Sequence, residues 1–152
     1  MAVRAIDDSH HVARHVKSRL VERKDGKIVG CFPQAFRLRE ANESPTKRPE
    51  EYLSVSWLEF FTGARLDQVR EVVRELRRKR TVKDVDVITL GNVQKIKIVG
   101  SMRSMKLRVL HEQESSSYSA IRGLKREDAE VLTLLAAEAF LEHFEVATTA
   151  MP

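Results

Sequence analysis

The side chains of this 152-residue chain that could carry chemistry are five histidines, one cysteine and a dense set of arginines. His10, His11 and His15, joined by His111, could ligate a metal or exchange protons near neutral pH. Adjacent histidines near a terminus are more often simply exposed. His111 is better placed, because it closes an apolar run and opens a polar one, where loop-borne catalytic groups lie; a hydrogen-bonded structural histidine is the plainer alternative. Cys31 stands in Val29-Gly30-Cys31-Phe32 with no base beside it, and reads as a small buried hydrophobe rather than a nucleophile. No Gly-x-Ser-x-Gly elbow supports serine hydrolysis. A single cysteine excludes an internal disulfide and a zinc site built on paired cysteines. No cofactor or metal is expected.

The arginines concentrate in one segment. Between 65 and 80 there are seven basic residues (Arg65, Arg70, Arg74, Arg77, Arg78, Lys79, Arg80) against Asp67, Glu71 and Glu75, so this segment carries +4 of the chain's net +5. Leu66, Val69, Val72, Val73 and Leu76 share an arc of roughly 120° on a helical wheel, and Arg70, Arg74, Arg77 and Arg78 another arc of roughly 100°. Arginine forks suit phosphate oxygens, which makes those four the candidate nucleic-acid contacts. The plain alternative is a solvated face whose charges complement the helix dipole. No helix-turn-helix, ribonucleoprotein aromatic motif, Gly-x-x-Gly loop or zinc finger accompanies them.

The elements that must position these residues are legible in part. Asp25-Gly26 between two runs predicts a hairpin, ending before Pro33. A strand or short helix precedes it near 14–16. Residues 40–52 read as a polar flap with Pro45 and Pro49, disordered in isolation or docking a partner. Leu53-Ser54-Val55 is a short strand. Ser56 with Glu59 three positions on forms a capping-box signature, predicting a helix from Trp57 that turns Trp57, Phe60 and Phe61 into the core. A second helix follows over 65–79. Val85 to Leu90 reads as a strand, and Asn92 could cap a helix over 92–99, although its isoleucines and valines suit a strand equally. If it is a helix, 84–110 forms a strand–helix–strand unit with a parallel pair. Alternation over 105–110 and a short run from Tyr118 to Ile121 predict two more strands. Val131, Leu134, Leu135, Ala139, Leu141 and Phe144 predict an amphipathic helix over 126–146.

Length and composition imply one α+β domain over 10–146, with a frayed lead-in at 1–9 and a frayed tail at 147–152. The expected architecture is a mixed sheet of about five or six strands against two main amphipathic helices, about 65–79 and 126–146. No apolar run approaches the roughly 20 residues that span a bilayer. No signal-peptide h-region is visible, and the expected compartment is the cytoplasm.

Two resemblances bear on function. Ala35-Phe36-Arg37-Leu38-Arg39, Leu53-Ser54-Val55, and Val109-Leu110-His111-Glu112 leading to Ser119-Ala120-Ile121-Arg122 together resemble a family of small uncharacterised bacterial proteins. That family implies an architecture and a bacterial source, and no established activity. Its last motif usually reads Ser-His-Ser/Ala-x-Ile, and here Tyr118 replaces the histidine. Separately, Arg14, then Ser54-x-Ser56, then Glu112-x-Glu114 resembles the order of arginine-type ADP-ribosyltransferases. That resemblance implies a small enzyme using Arg14, Ser54 and Glu114 or His111, without the aromatic sandwich for nicotinamide. The expected function is a non-enzymatic protein-interaction or accessory module, binding another protein or itself and no membrane. The alternatives are a nucleic-acid-binding accessory protein using the 65–80 helix, and the small enzyme.

Overall fold

The computed structural model describes residues 3–38 and 51–150. Its elements run β1 (Arg4–Ala5), β2 (His11–Val16), β3 (Val21–Lys24), β4 (Lys27–Cys31), β5 (Leu53–Trp57), α1 (Arg65–Arg77), β6 (Val87–Asn92), α2 (Val93–Met102), β7 (Arg108–His111), β8 (Tyr118–Arg122), α3 (Ala129–Leu134) and β9 (Phe140–Glu145). The fold is α+β. Seven strands form one sheet in the order β1-β7-β8-β5-β2-β6-β9, and β3 with β4 makes a separate hairpin. The strand count exceeds the expected five or six, and every ladder is antiparallel.

The sheet is covered on both faces. On one, Val69, Val72 and Val73 of α1 pack with Ala13, Ile88, Leu90 and Val146. On the other, α2 and α3 bury Ile96, Val99, Val131 and Leu135 with Phe36, Leu53 and Ile121. Phe36 and Phe140 stack at 4.6 Å between ring centroids. Gly91 makes room for that pair, since a Cβ there would lie 2.7 Å from the Phe140 ring.

Local sequence chemistry accounts for several elements. Asp25 and Gly26 have φ of 53° and 76°, the left-handed pair of a type I′ hairpin turn. Pro33 ends the hairpin arm and starts a single 3-10 turn, Pro33–Phe36. Asn92 accepts a hydrogen bond from the Lys95 N–H and caps α2, so this segment is a helix. Asp128 caps α3 by accepting from the Val131 N–H.

Four expectations are corrected. Residues 57–61 form no α-helix: Ser56 and Trp57 belong to β5, and only the 3-10 turn Leu58–Phe60 follows. Backbone pairing of Ser56 with Ala13 and Tyr118 outcompetes the cap. The last helix covers 129–139, its final turn Leu135–Ala139 wound as a π-helix. Phe140–Glu145 is instead β9, because it pairs along the outer edge of β6, with a register shift that leaves Leu141 48% exposed. Tertiary pairing overrides a helical hydrophobic pattern here. Third, β6 and β7 flank α2 and run in the same direction, but β2, β5 and β8 lie between them, so no parallel pair forms. Finally, the ends are not frayed where they are described. Arg4–Ala5 pairs with His111 and Leu110, and Thr149 is buried beside α1, its carbonyl accepting from Arg70 Nε at 2.8 Å. Of the flap, Glu51 and Tyr52 are described; 40–50 lies outside the described residues. Among the described residues no helix is long and apolar enough to cross a membrane.

Candidate anion-binding cleft where the sheet parts

Strands β2 and β5 are neighbours, yet their ladder holds only two residue pairs, Val12–Trp57 and Ala13–Ser56. Continuing the register would oppose Arg14 to Val55 and His15 to Ser54, and neither pair forms. Arg14 occupies the gap. Its Nε donates to the Ala35 carbonyl and an Nη to the Ser54 carbonyl, both at 2.8 Å. Backbone carbonyls taken from water need a donor, and a guanidinium supplies the one that the ladder does not.

A cleft of about 810 Å³ opens at this parting. Its lining is Arg14, His15 and Ser54 from the parted strands, Lys17 to Arg19 after β2, and Lys79 to Thr81 with Lys83, Val85 and Asp86 from the loop between α1 and β6. Asp86 is the only acid among the described residues that line it. That carboxylate is used inside the protein, accepting from His15 Nε2 at 2.9 Å and from the Ser18 and Lys83 N–H groups at 3.0 Å. Burial pushes the Asp86 carboxyl upward, but the bonds from His15, Lys83 and Ser18 outweigh it and hold the group below the ordinary carboxylate range. Burial likewise holds His15 below its ordinary value, against the pull of Asp86. Among the described residues no ion pair reaches Lys17, Arg19, Lys79, Arg80 or Lys83.

The cleft narrows inward. Arg14, His15, Ser54, Lys79 and Arg80 also line a small recess of about 40 Å³, together with Glu75, Tyr118, Ser56 and the apolar Ala13, Val55 and Leu76. Three hydroxyls meet at this end: Tyr52 and Tyr118 oxygens lie 2.6 Å apart, and Ser54 Oγ lies 3.4 Å from that of Tyr118. The bond to Tyr118 is the main cause that pushes Tyr52 up to about 12. Lys79 sits over the Tyr118 ring at 5.2 Å and Arg122 over the Tyr52 ring at 4.3 Å. Arg122 is also held by Glu112 through two bonds of 2.9 Å. Glu75 accepts from the Ser117 hydroxyl and N–H.

The closed end of the same strand pair has a different composition. The His11 N–H and Nδ1–H both donate to Glu59 at 2.8 Å. Trp57 Nε1 donates to His10 Nδ1 at 3.1 Å. His111 packs against Trp57 and Phe60, with ring centroids 5.0 and 5.6 Å away, and Nε2–H donates to the Ser116 carbonyl at 2.7 Å.

The sequence candidates therefore separate. Arg14 and Ser54 meet in the cleft. His111 lies at the closed end, 5% exposed, and Glu114 sits exposed in the turn between β7 and β8. Of the arginine stripe, Arg70 holds Thr149 and Asp67, Arg74 holds Glu71, and Arg77 holds the Val82 carbonyl and Asp84. Arg78 is exposed just past the helix. The unpaired charge stands at the end of α1, on Lys79 and Arg80, together with Lys17, Arg19 and Lys83. Its trace in the sequence is two short basic runs, Lys17-Ser18-Arg19 and Lys79-Arg80, each just past an element. Burial pushes the Cys31 thiol up to about 11, so it stays protonated at neutral pH. Among the described residues no group of three or more His, Cys, Asp or Glu could hold a metal. No family model, curated protein or solved structure matches this chain.

Proposed function

We propose that this chain is a non-enzymatic accessory module that binds phosphate-bearing ligands in the cleft between β2 and β5. One observation carries the reading: five cations with no ion pair among the described residues, from the loop after β2 and the loop between α1 and β6, line a single concavity. Like charges gathered in one place oppose folding, and a ligand of opposite sign offsets that repulsion. Ion pairing disposes of the other basic side chains of α1: Arg65 is spent on Glu59 and Glu142, and Arg70, Arg74 and Arg77 on Asp67, Glu71 and Asp84. Phosphate suits the site because its oxygens accept from several ammonium and guanidinium donors at once. The nucleic-acid alternative read from the 65–80 segment thus moves from the face of α1 to its end. The enzyme reading has Arg14 and Ser54 at the cleft and lacks His111 and Glu114 there.

The test is titration with tripolyphosphate by calorimetry at about 50 mM salt, where electrostatic binding to phosphates is strong. Saturable binding that weakens as salt rises is expected. The Lys79→Ala/Arg80→Ala double variant should bind at least ~10-fold more weakly, the equivalent of one lost charge-assisted hydrogen bond or more. Equal affinity in that variant, or no binding tighter than about 1 mM, overturns the reading.

A further inference from the structure

The geometry points to single-stranded RNA as the ligand of this cleft, with its phosphates on the cationic rim and a sugar 2′-hydroxyl in the recess beside Ser54 and Tyr118. The inference rests on the phosphate-binding reading above and names the ligand class of that same site.

Charge sets the first constraint. A phosphodiester carries one negative charge, so five unpaired cations around the cleft call for a run of phosphates rather than one. Lys17 and Arg19 follow β2, and Lys79, Arg80 and Lys83 are spread along the loop between α1 and β6. That spread suits a chain passing through. Shape sets the second. The cations line a concavity with Arg14 in the gap between two strands, and a stiff duplex would touch only its rim, whereas a single strand can follow it.

The recess sets the third. At about 40 Å³ it has room for a group of hydroxyl or water size. Its chemistry fits a hydroxyl as well. Ser54, Tyr118 and Tyr52 bring three O–H hydrogens to two mutual contacts, so at least one hydrogen is left unused among the three. Each oxygen keeps acceptor capacity, and Glu75 adds a carboxylate on the wall. A 2′-hydroxyl donates and accepts at once, and it is the group by which a protein distinguishes RNA from DNA. An acidic peptide could satisfy the cations but brings nothing of that size and character on each repeat.

The experiment is fluorescence anisotropy with a labelled, unstructured RNA of about 12 nucleotides, the DNA of equal sequence, and the RNA duplex. RNA should bind at least ~5-fold more tightly than DNA, with the duplex weakest. Lys79→Ala/Arg80→Ala should weaken both single strands and flatten the plot of log affinity against log salt by about 1.4, or ~0.7 for each phosphate no longer neutralised. Tyr118→Phe should erase the preference for RNA while leaving DNA affinity in place. Ser54→Ala should reduce the preference in the same direction, and it carries the test should Tyr118→Phe unfold, as judged by thermal melting. Equal affinity for RNA and DNA, or a preference untouched by both variants, overturns the inference. Equal competition by polyglutamate overturns it in favour of an acidic peptide. Tripolyphosphate binding without oligonucleotide binding overturns the strand but leaves the phosphate reading standing. Absence of all binding ends both.

Discussion

The two ends of the β2–β5 pair begin from the same strands and finish as opposites. At the closed end Ala13 and Ser56 pair, Glu59 takes two donors from His11, and Trp57 finds His10. Polar groups there pair within the protein. At the open end the ladder stops, a guanidinium fills the gap, and five cations line the cleft with no ion pair among the described residues. The contrast separates what builds the fold from what the fold offers to a ligand. Charge that stabilises has a partner inside the chain, and charge available for binding lacks one. Asp86 shows that the cleft also has structural parts, because all three of its bonds point inward.

The comparison can be broken most directly at Arg14. Arg14→Ala removes two charge-assisted bonds to carbonyls of separate segments, and should cost about 3 kcal/mol in urea denaturation. A loss below about 1 kcal/mol would mean that the strands simply close the gap and need no bridge. Glu59→Ala probes the closed end. Leaving the His11 N–H without its acceptor should cost about 2 kcal/mol, with phosphate affinity unchanged. A change in affinity would show that the ends are not independent. The smallest effect has the opposite sign. Lys83→Ala or Lys17→Ala should raise stability by up to ~0.5 kcal/mol, the usual bound for a surface site, while weakening tripolyphosphate binding. Destabilisation by either would reveal an internal partner for that cation and remove it from the ligand's share.

Local signals in the sequence identify local structure. The hairpin at Asp25-Gly26, the wheel of α1 and the Asn92 cap each depend on residues within a few positions. Long-range competition defeats the same logic. Ser56 and Glu59 spell a helix start, but β2 and β8 claim Ser56, and His11 claims Glu59 from 48 residues away. The stretch from Phe140 spells helix because its apolar spacing fits one, yet the bare edge of β6 is a better partner. The site was half legible. Arg14 and Ser54 stand out as candidates, but their meeting depends on a ladder that stops early. The excess charge of 65–80 points to the right helix and the wrong part of it. Ion pairs along the face consume most of the stripe, and the last basic residues, which have no ion pair among the described residues, meet Lys17 and Arg19 of the loop after β2 and Lys83 of their own loop.

The short seam between β2 and β5 has a mechanical consequence. Strands β1, β7, β8 and β5 are laced together by their own ladders, and so are β2, β6 and β9, but only two residue pairs join the halves within the sheet. A small rotation about Val12 and Ala13 changes the spacing at Ser54 and His15 without rupturing a hydrogen bond inside either half. Arg14, anchored to the turn at Ala35 on one side and to β5 on the other, bridges that seam where its ladder stops.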